Sequence, residues 1–362
     1  VLQFNLTSAG IGREDDRWFL KISGSMEFIN ATVATLLPSK IDFQEIIIWD
    51  DGQFEIKGGG LELPQALSLK FPPVELSVTA IHLGSTEREY DTGSSRVLRK
   101  YKYFGLDGAV KVDPGGVEAK GKGIQVYFSS DNSIHPLDIF IRIESLRIDI
   151  IIPGDADPKD AAVIIAGFLS VKDPPPGFPG TEYAGGVSID MPQAKIGGAA
   201  AMRFNPKVPY FIVDAELELS KAIPLGSTGL GLYGFRGLLG KYFVATKQAA
   251  GVADSEPWWK YYKAKVANDY KEGVQISKFD PIGGFSVGLG VSLATSSDGG
   301  KIFSSKIFLL LSLRELLMLQ GQAAILSDRI KLNDPNDPPF FALLVFTRES
   351  IEAALGVNYL IP

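Results

Sequence analysis

Apolar and polar side chains alternate at every second position through most of this 362-residue chain, and that period confines it to antiparallel β-structure. Val74, Leu76, Val78 and Ala80 take one parity, with Glu75, Ser77 and Thr79 on the other. Val213, Ala215, Leu217 and Leu219 alternate in the same way with Asp214, Glu216, Glu218 and Ser220. Each such strand is expected to be half-buried, with its polar side chains on one wet face. Leu137, Ile139, Ile141 and Ile143 hold odd phase before the pattern jumps to Leu146, Ile148, Ile150 and Ile152. A one-residue shift of this kind predicts a β-bulge at Glu144 and Ser145.

Turn chemistry separates the strands. Asp50-Asp51-Gly52, Asp113-Pro114-Gly115-Gly116 and Ser297-Asp298-Gly299-Gly300 each lie between two alternating runs, where glycine supplies positive φ. The proline clusters at 72–73, 174–176 and 338–339 mark loops or strand entries. Two stretches read as helix. Residues 159–169 are short and apolar, with a buried strand as the alternative. Residues 255–271 offer Ser255 as a cap, Pro257 in the first turn, and Trp258, Tyr262 and Val266 at four-residue spacing. The expected fold is therefore mainly β: extended antiparallel meander sheets, sandwich-like or groove-like, with one or two short helices. Its regions are an N-terminal β region at 1–153, a helical and proline-rich connection at 154–180, and a glycine-rich β region at 181–362.

Composition removes several classes of function. The net charge of −6 argues against general nucleic-acid binding, and the absence of cysteine removes disulfides, thiol catalysis and thiolate metal sites. The two histidines, His82 and His135, leave little room for a histidine-based zinc site or triad; His82 takes the apolar parity of its strand and is expected as a hydrogen-bonded core or rim residue. No apolar run reaches the roughly 20 residues of a spanning helix, although strands of about 9–11 residues also cross bilayers. The chain starts without an initiator methionine, which reads as a processed form or part of something longer.

Few motifs point to chemistry. Gly229-Leu230-Gly231-Leu232-Tyr233-Gly234 spells the dinucleotide fingerprint, but glycines recur through Gly237 and Gly240, which no helix would accept, so a glycine-rich β-hairpin is expected. Asp155, Asp157 and Asp160 share one loop and are candidate oxygen ligands for calcium, set against a plain acidic turn. Arg96, Arg99, Lys100 and Lys102, with Tyr101 and Tyr103, are candidates for contact with an anionic group. Trp258 and Trp259 are candidates for stacking on a ligand. In the glycine-rich region Phe285, Val287, Leu289, Val291 and Leu293 form a large apolar face and Ser286, Gly288, Gly290, Ser292 and Ala294 a small one; Ile351, Ala353, Leu355, Val357, Tyr359 and Ile361 repeat the large face. If that face lines a groove, Val287, Leu289, Val291, Leu355 and Val357 contact its ligand.

From residues 229–240 onward the order of motifs resembles a known block. It runs through Trp258-Trp259-Lys260-Tyr261-Tyr262, Phe285-Ser286-Val287-Gly288-Leu289-Gly290, Thr295 to Gly300, Gly321-Gln322-Ala323 and Pro338-Pro339-Phe340-Phe341. Over about residues 180–362 this is similar to the conserved block of very large, uncharacterised bacterial and fungal β-rich proteins grouped as a domain of unknown function. That resemblance implies a segment of a giant β-rich protein and assigns no catalytic residue. The architecture also resembles the AsmA-like and bridge-type lipid-transfer proteins, in which a curved sheet holds acyl chains. The resulting expectation is a non-enzymatic structural or scaffolding segment without a cofactor, surface- or envelope-associated rather than cytoplasmic. Its expected partners are other segments or copies of the same large protein. The alternatives are binding or transfer of lipid in an apolar groove, and carbohydrate binding or processing.

Overall fold

The computed structural model describes residues 2–14, 16–28, 41–51, 54–56, 61–71, 74–91, 96–112, 117–129, 139–154, 156–208, 210–264, 276–330 and 339–358. They are mainly β, as the alternation requires, with large antiparallel sheet and, among the described residues, one short α-helix and one 3-10 turn. The chain divides into two compact units, Val1–Ile148 with Ser170–Lys172, and Asp149–Leu169 with Asp173–Pro362.

In the first unit β1 (Leu2–Glu14), β2 (Arg17–Phe28), β3 (Ile41–Trp49) and β4 (Phe54–Ile56) form a four-stranded sheet in sequence order. Then β5 (Leu61–Phe71), β6 (Val74–Asp91), β7 (Arg96–Val112), β8 (Val117–Ser129) and β9 (Ile139–Ile152) follow one another as a meander. Pairing of Ile48 with Phe54 and of Val112 with Val117 puts chain reversals at the two predicted Gly-containing turns, whose residues 52 and 113–116 lie outside the described ones. In β6 the expected polarity holds: Val78 and Ala80 are buried and Thr79 is exposed. Tyr127 stacks on Phe140 at 4.5 Å, and the Arg142 guanidinium covers Tyr127 at 4.7 Å while donating to its hydroxyl at 3.0 Å. Along β9 exposure changes parity, from Ile141 to Ile148 and Ile152, as the jump in the sequence pattern predicts.

In the second unit β10 (Val163–Lys172), β11 (Glu182–Met191), β12 (Ile196–Asn205), β13 (Tyr210–Pro224) and β14 (Leu230–Lys241) are neighbours in order. The order continues through β17 (Phe285–Thr295), β18 (Phe303–Ser312), β19 (Leu316–Ile325), β20 (Phe340–Thr347) and β21 (Ile351–Val357). Between β14 and β17 lies an insertion, residues 242–284. It carries β15 (Val244–Ala245), the helix α1 (Trp258–Lys263), a 3-10 turn (Ile276–Lys278) and β16 (Phe279–Asp280).

The two helix expectations are corrected. Of residues 159–169, read as helix with a buried strand as the alternative, 163–169 belong to strand β10; the consecutive β-branched Val163, Ile164 and Ile165 suit a pleat better than a helix. The helix expected at 255–271 begins at Trp258 and ends at Lys263, and Ser255 does not cap it. Its N-cap is Pro257, which offers no side-chain acceptor; instead Glu352 of β21 accepts the Trp258 N–H at 2.8 Å. Residues 265–275 lie outside the described ones.

Candidate functional site

The side of the β11–β21 sheet that packs is the side of its small and charged residues. On β17, Ser286, Ser292 and Ala294 are buried, at 0%, 4% and 0% exposure. Glycine at 288 and 290 is a packing requirement: a Cβ on Gly288 would meet Phe308 Cζ at 2.5 Å, and one on Gly290 would meet Arg236 Cβ at 3.0 Å. Both larger side chains lie across β17 where its own side chains are missing. The insertion is stitched to this floor by serines. Ser286 Oγ donates to the Phe243 carbonyl at 2.8 Å, Ser312 Oγ accepts the Ala245 N–H at 3.0 Å, and the two hydroxyls are 2.9 Å apart. Around these contacts Tyr210, Ile212, Phe243, Ile276, Leu310, Met318 and Val345 build the core of the unit, with Tyr262 stacked on Phe341 at 4.7 Å.

Three arginines on this packed face are ion-paired and lie over aromatic rings. Arg236 donates to both carboxylate oxygens of Asp214, at 3.0 and 2.5 Å, and its guanidinium lies 4.1 Å from the Phe308 centroid. Arg203 donates to Glu182 at 3.1 Å and covers Phe243, and Arg329 pairs with Glu218 at 3.0 Å and covers Tyr233. Arginine suits such sites because its planar fork matches a carboxylate while its face lies on an aromatic ring. Lys278 is 2% exposed and donates to the carbonyls of Tyr261 and Tyr262, both at 3.0 Å, at the end of α1. Burial, helped by the Arg236 charge, lowers its pKa to about 7. Burial likewise raises Glu216 to about 7, against the pull of Arg236 and Lys306.

The opposite face carries the large aliphatics and is open. In register, one cross-strand row runs Met202, Val213, Leu239, Val287, Leu311, Leu317, Phe346 and Ile351. The next runs Val187, Ala200, Ala215, Gly237, Leu289, Leu309, Leu319, Leu344 and Ala353. A third runs Ile189, Gly198, Leu217, Phe235, Val291, Ile307, Gly321, Ala342 and Leu355. Not one residue in the three rows is charged or polar. Leu289 is 65% exposed and Leu355 79%. Charge returns only at the strand ends and turns, at Lys195, Lys241, Lys301, Arg314, Glu315, Arg348 and Glu349, all exposed. Eight strands about 4.8 Å apart, crossed by three rows about 7 Å apart, make an apolar patch on the order of 500 Å².

The polarity expected for β13 is therefore corrected. Asp214 and Glu218, taken as its wet face, are buried at 0% and 5%, while Leu217 is 46% exposed. Val287, Leu289, Val291, Leu355 and Val357 do share one face, but it is the open side of a sheet. Trp258 and Trp259 belong to α1, which lies against the packed side, so they are not part of the same surface. Trp258 meets Tyr261 edge-on at 5.2 Å, and Trp259 is 39% exposed.

In the first unit the four basic candidates Arg96, Arg99, Lys100 and Lys102 all lie on β7, and the side chains of Arg96, Lys100 and Lys102 are outside the described ones. Arg99 is 4% exposed beside the buried Tyr101, and the register sets Arg96 opposite Asp91 and Lys100 opposite Glu87. His82 Nε2 lies 3.0 Å from Asp107 Oδ1, a rim contact of the kind its parity suggests. Asp157 accepts the Lys159 N–H at 3.1 Å and Asp160 is exposed; Asp155 lies outside the described residues. The sequence reading missed Leu309, Leu311, Leu317, Leu319 and Phe346 as members of the open face, although their parity carries the same signal. It also missed the Asp214–Arg236 pair, which only the register brings together. No family model, no curated protein and no solved structure matches the chain.

Proposed function

We propose that the open face of the β11–β21 sheet binds lipid acyl chains, and that the protein is a non-enzymatic, lipid-associated segment. One observation carries the reading: three consecutive cross-strand rows without a polar side chain, flanked by charged turns, on the side of the sheet left uncovered among the described residues. Exposed apolar patches on soluble proteins seldom exceed a few hundred Å², and larger ones mark protein or membrane contacts. Aliphatics outward with small and ion-paired residues inward is the reverse of a water-facing sheet and the pattern of a lipid-facing one. The competing occupant is another apolar segment of a larger β-rich protein, the scaffolding reading.

Organic extraction of natively purified protein followed by mass spectrometry, together with flotation on phosphatidylcholine vesicles, tests the proposal. Phospholipid or fatty acid should copurify in stoichiometric amount and fall at least tenfold in Leu289→Asp and Leu309→Asp. An extract no richer than that of a control protein, with no flotation, would sink the lipid reading and leave the scaffold.

A further inference from the structure

The apolar rows of the open face finish differently at the two ends of the strands. One end gathers the close of β14, the start of β17, and the turns 206–209, 313–315 and 348–350. The outer row there runs Tyr183, Phe204, Phe211, Lys241 and Phe285, with Tyr183 stacked on Phe204 at 5.3 Å. Lys241 is the one charged residue in the paired rows of this face among the described residues, and it is exposed between two phenylalanines. Lys207, Arg314 and Arg348 stand exposed in the turns along the same sheet end, against the carboxylates of Glu315 and Glu349. At the other end the outer row is Leu232, Leu293, Ser305, Ala323 and Phe340, with one ring and no charge. Its described turns set Lys195 and Lys301 against Asp298 and Asp328.

We propose that the Lys241 end of the open face is a headgroup site for anionic phospholipid, with the acyl chains on the apolar rows. The proposal rests on the lipid reading of that face and adds its polarity and the class of lipid. Lysine can lay its stem along apolar surface and keep its ammonium in water, so Lys241 puts a positive charge at the border of the patch. The rings beside it suit the same border, since aromatic girdles flank the lipid-facing bands of β-proteins where chains meet headgroups. Cations outnumber carboxylates at this end alone, which complements a phosphate. A phospholipid is itself apolar at one end and anionic at the other, whereas an apolar protein segment laid on the sheet calls for no such difference between the ends. The chain carries a net charge of −6, so an anionic surface repels the molecule as a whole and must be held by a local site.

Flotation on two kinds of vesicle, phosphatidylcholine alone and phosphatidylcholine mixed with phosphatidylglycerol, tests the site apart from the reading beneath it. Each basic residue near an anionic surface is worth about fivefold in binding, so at low ionic strength the wild type should bind the mixed vesicles at least about tenfold more tightly. High salt should erase that preference. Combining Lys241→Gln, Arg314→Gln and Arg348→Gln should abolish it, and the charge-keeping set Lys241→Arg, Arg314→Lys and Arg348→Lys should preserve it. Lys195→Gln with Lys301→Gln, at the opposite end, should leave it intact. Equal binding of the wild type to both vesicles overturns the headgroup site and leaves the lipid reading standing. A loss of preference in the Lys195 and Lys301 variant as large as in the triple variant overturns it too. No binding to either vesicle defeats the lipid reading and the headgroup site together.

Discussion

β6 in the first unit and β13 in the second carry the same alternation and bury opposite halves of it. In β6 the aliphatics Val78 and Ala80 go in and Thr79 stays out. In β13 the carboxylates of Asp214 and Glu218 go in, with arginine partners, and Leu217 stays out. Period two fixes that two faces exist; it leaves open which of them is covered. What decides β13 is the insertion at 242–284, which lands on the side where Ser286, Gly288, Gly290 and Ser312 let it approach. Once that side is closed, its charges must pair, because an uncompensated charge there would cost several kcal/mol.

The sharpest way to break this comparison is to remove one carboxylate. Asp214→Ala leaves the Arg236 guanidinium without its counter-charge and should lower unfolding free energy by about 3–5 kcal/mol in urea titrations. Thr79→Ala on the wet side of β6 should stay within about 0.5 kcal/mol. Equal effects would mean that β13 is not inverted.

The two faces of the second unit's sheet offer a related test. Ile212→Ala, in the core beneath the insertion, should cost about 2–5 kcal/mol. Leu289→Ala on the open face should change stability by no more than about 0.5 kcal/mol in detergent, while weakening lipid retention.

Stability against pH sharpens the contrast further. Folded Glu216 keeps its proton to about pH 7, whereas the unfolded carboxyl loses it near 4.5, so stability falls as pH rises through that window. Folded Lys278 loses its proton near 7 and the unfolded amine near 10.5, so stability rises with pH across the alkaline window. The expected curve has a minimum close to neutrality, with limbs no steeper than about 1.4 kcal/mol per pH unit for each group. Glu216→Gln should flatten the acid limb and Lys278→Met the alkaline one, as read from urea midpoints at stepped pH. Glu352→Ala removes the acceptor of the Trp258 N–H at the start of α1 and should cost about 1 kcal/mol, read from the same urea titrations.

Much of this was legible in the residues. The strands, the hairpin turns, the parity jump in β9 and the uniform aliphatic character of one face all follow from side-chain period and glycine placement, which are local. Leu309 and Leu319 belong to that face by the same parity as Leu289. Residues 159–169 read as helix or as buried strand alike, because a short apolar run has no period to separate the two. Glu352 could not be foreseen as the acceptor for Trp258, since 94 residues separate them.

The sequence by itself determined that this chain forms antiparallel meanders with one aliphatic and one small or charged face per strand, since alternation acts within a few residues. Only the tertiary structure decided that the charged face is the inside of the second unit and the aliphatic face its outside. Burial is a property of what lands on a surface: residues 242–284 return to the sheet on the side where serine and glycine leave room, and the leucines are left to meet whatever lies beyond the protein.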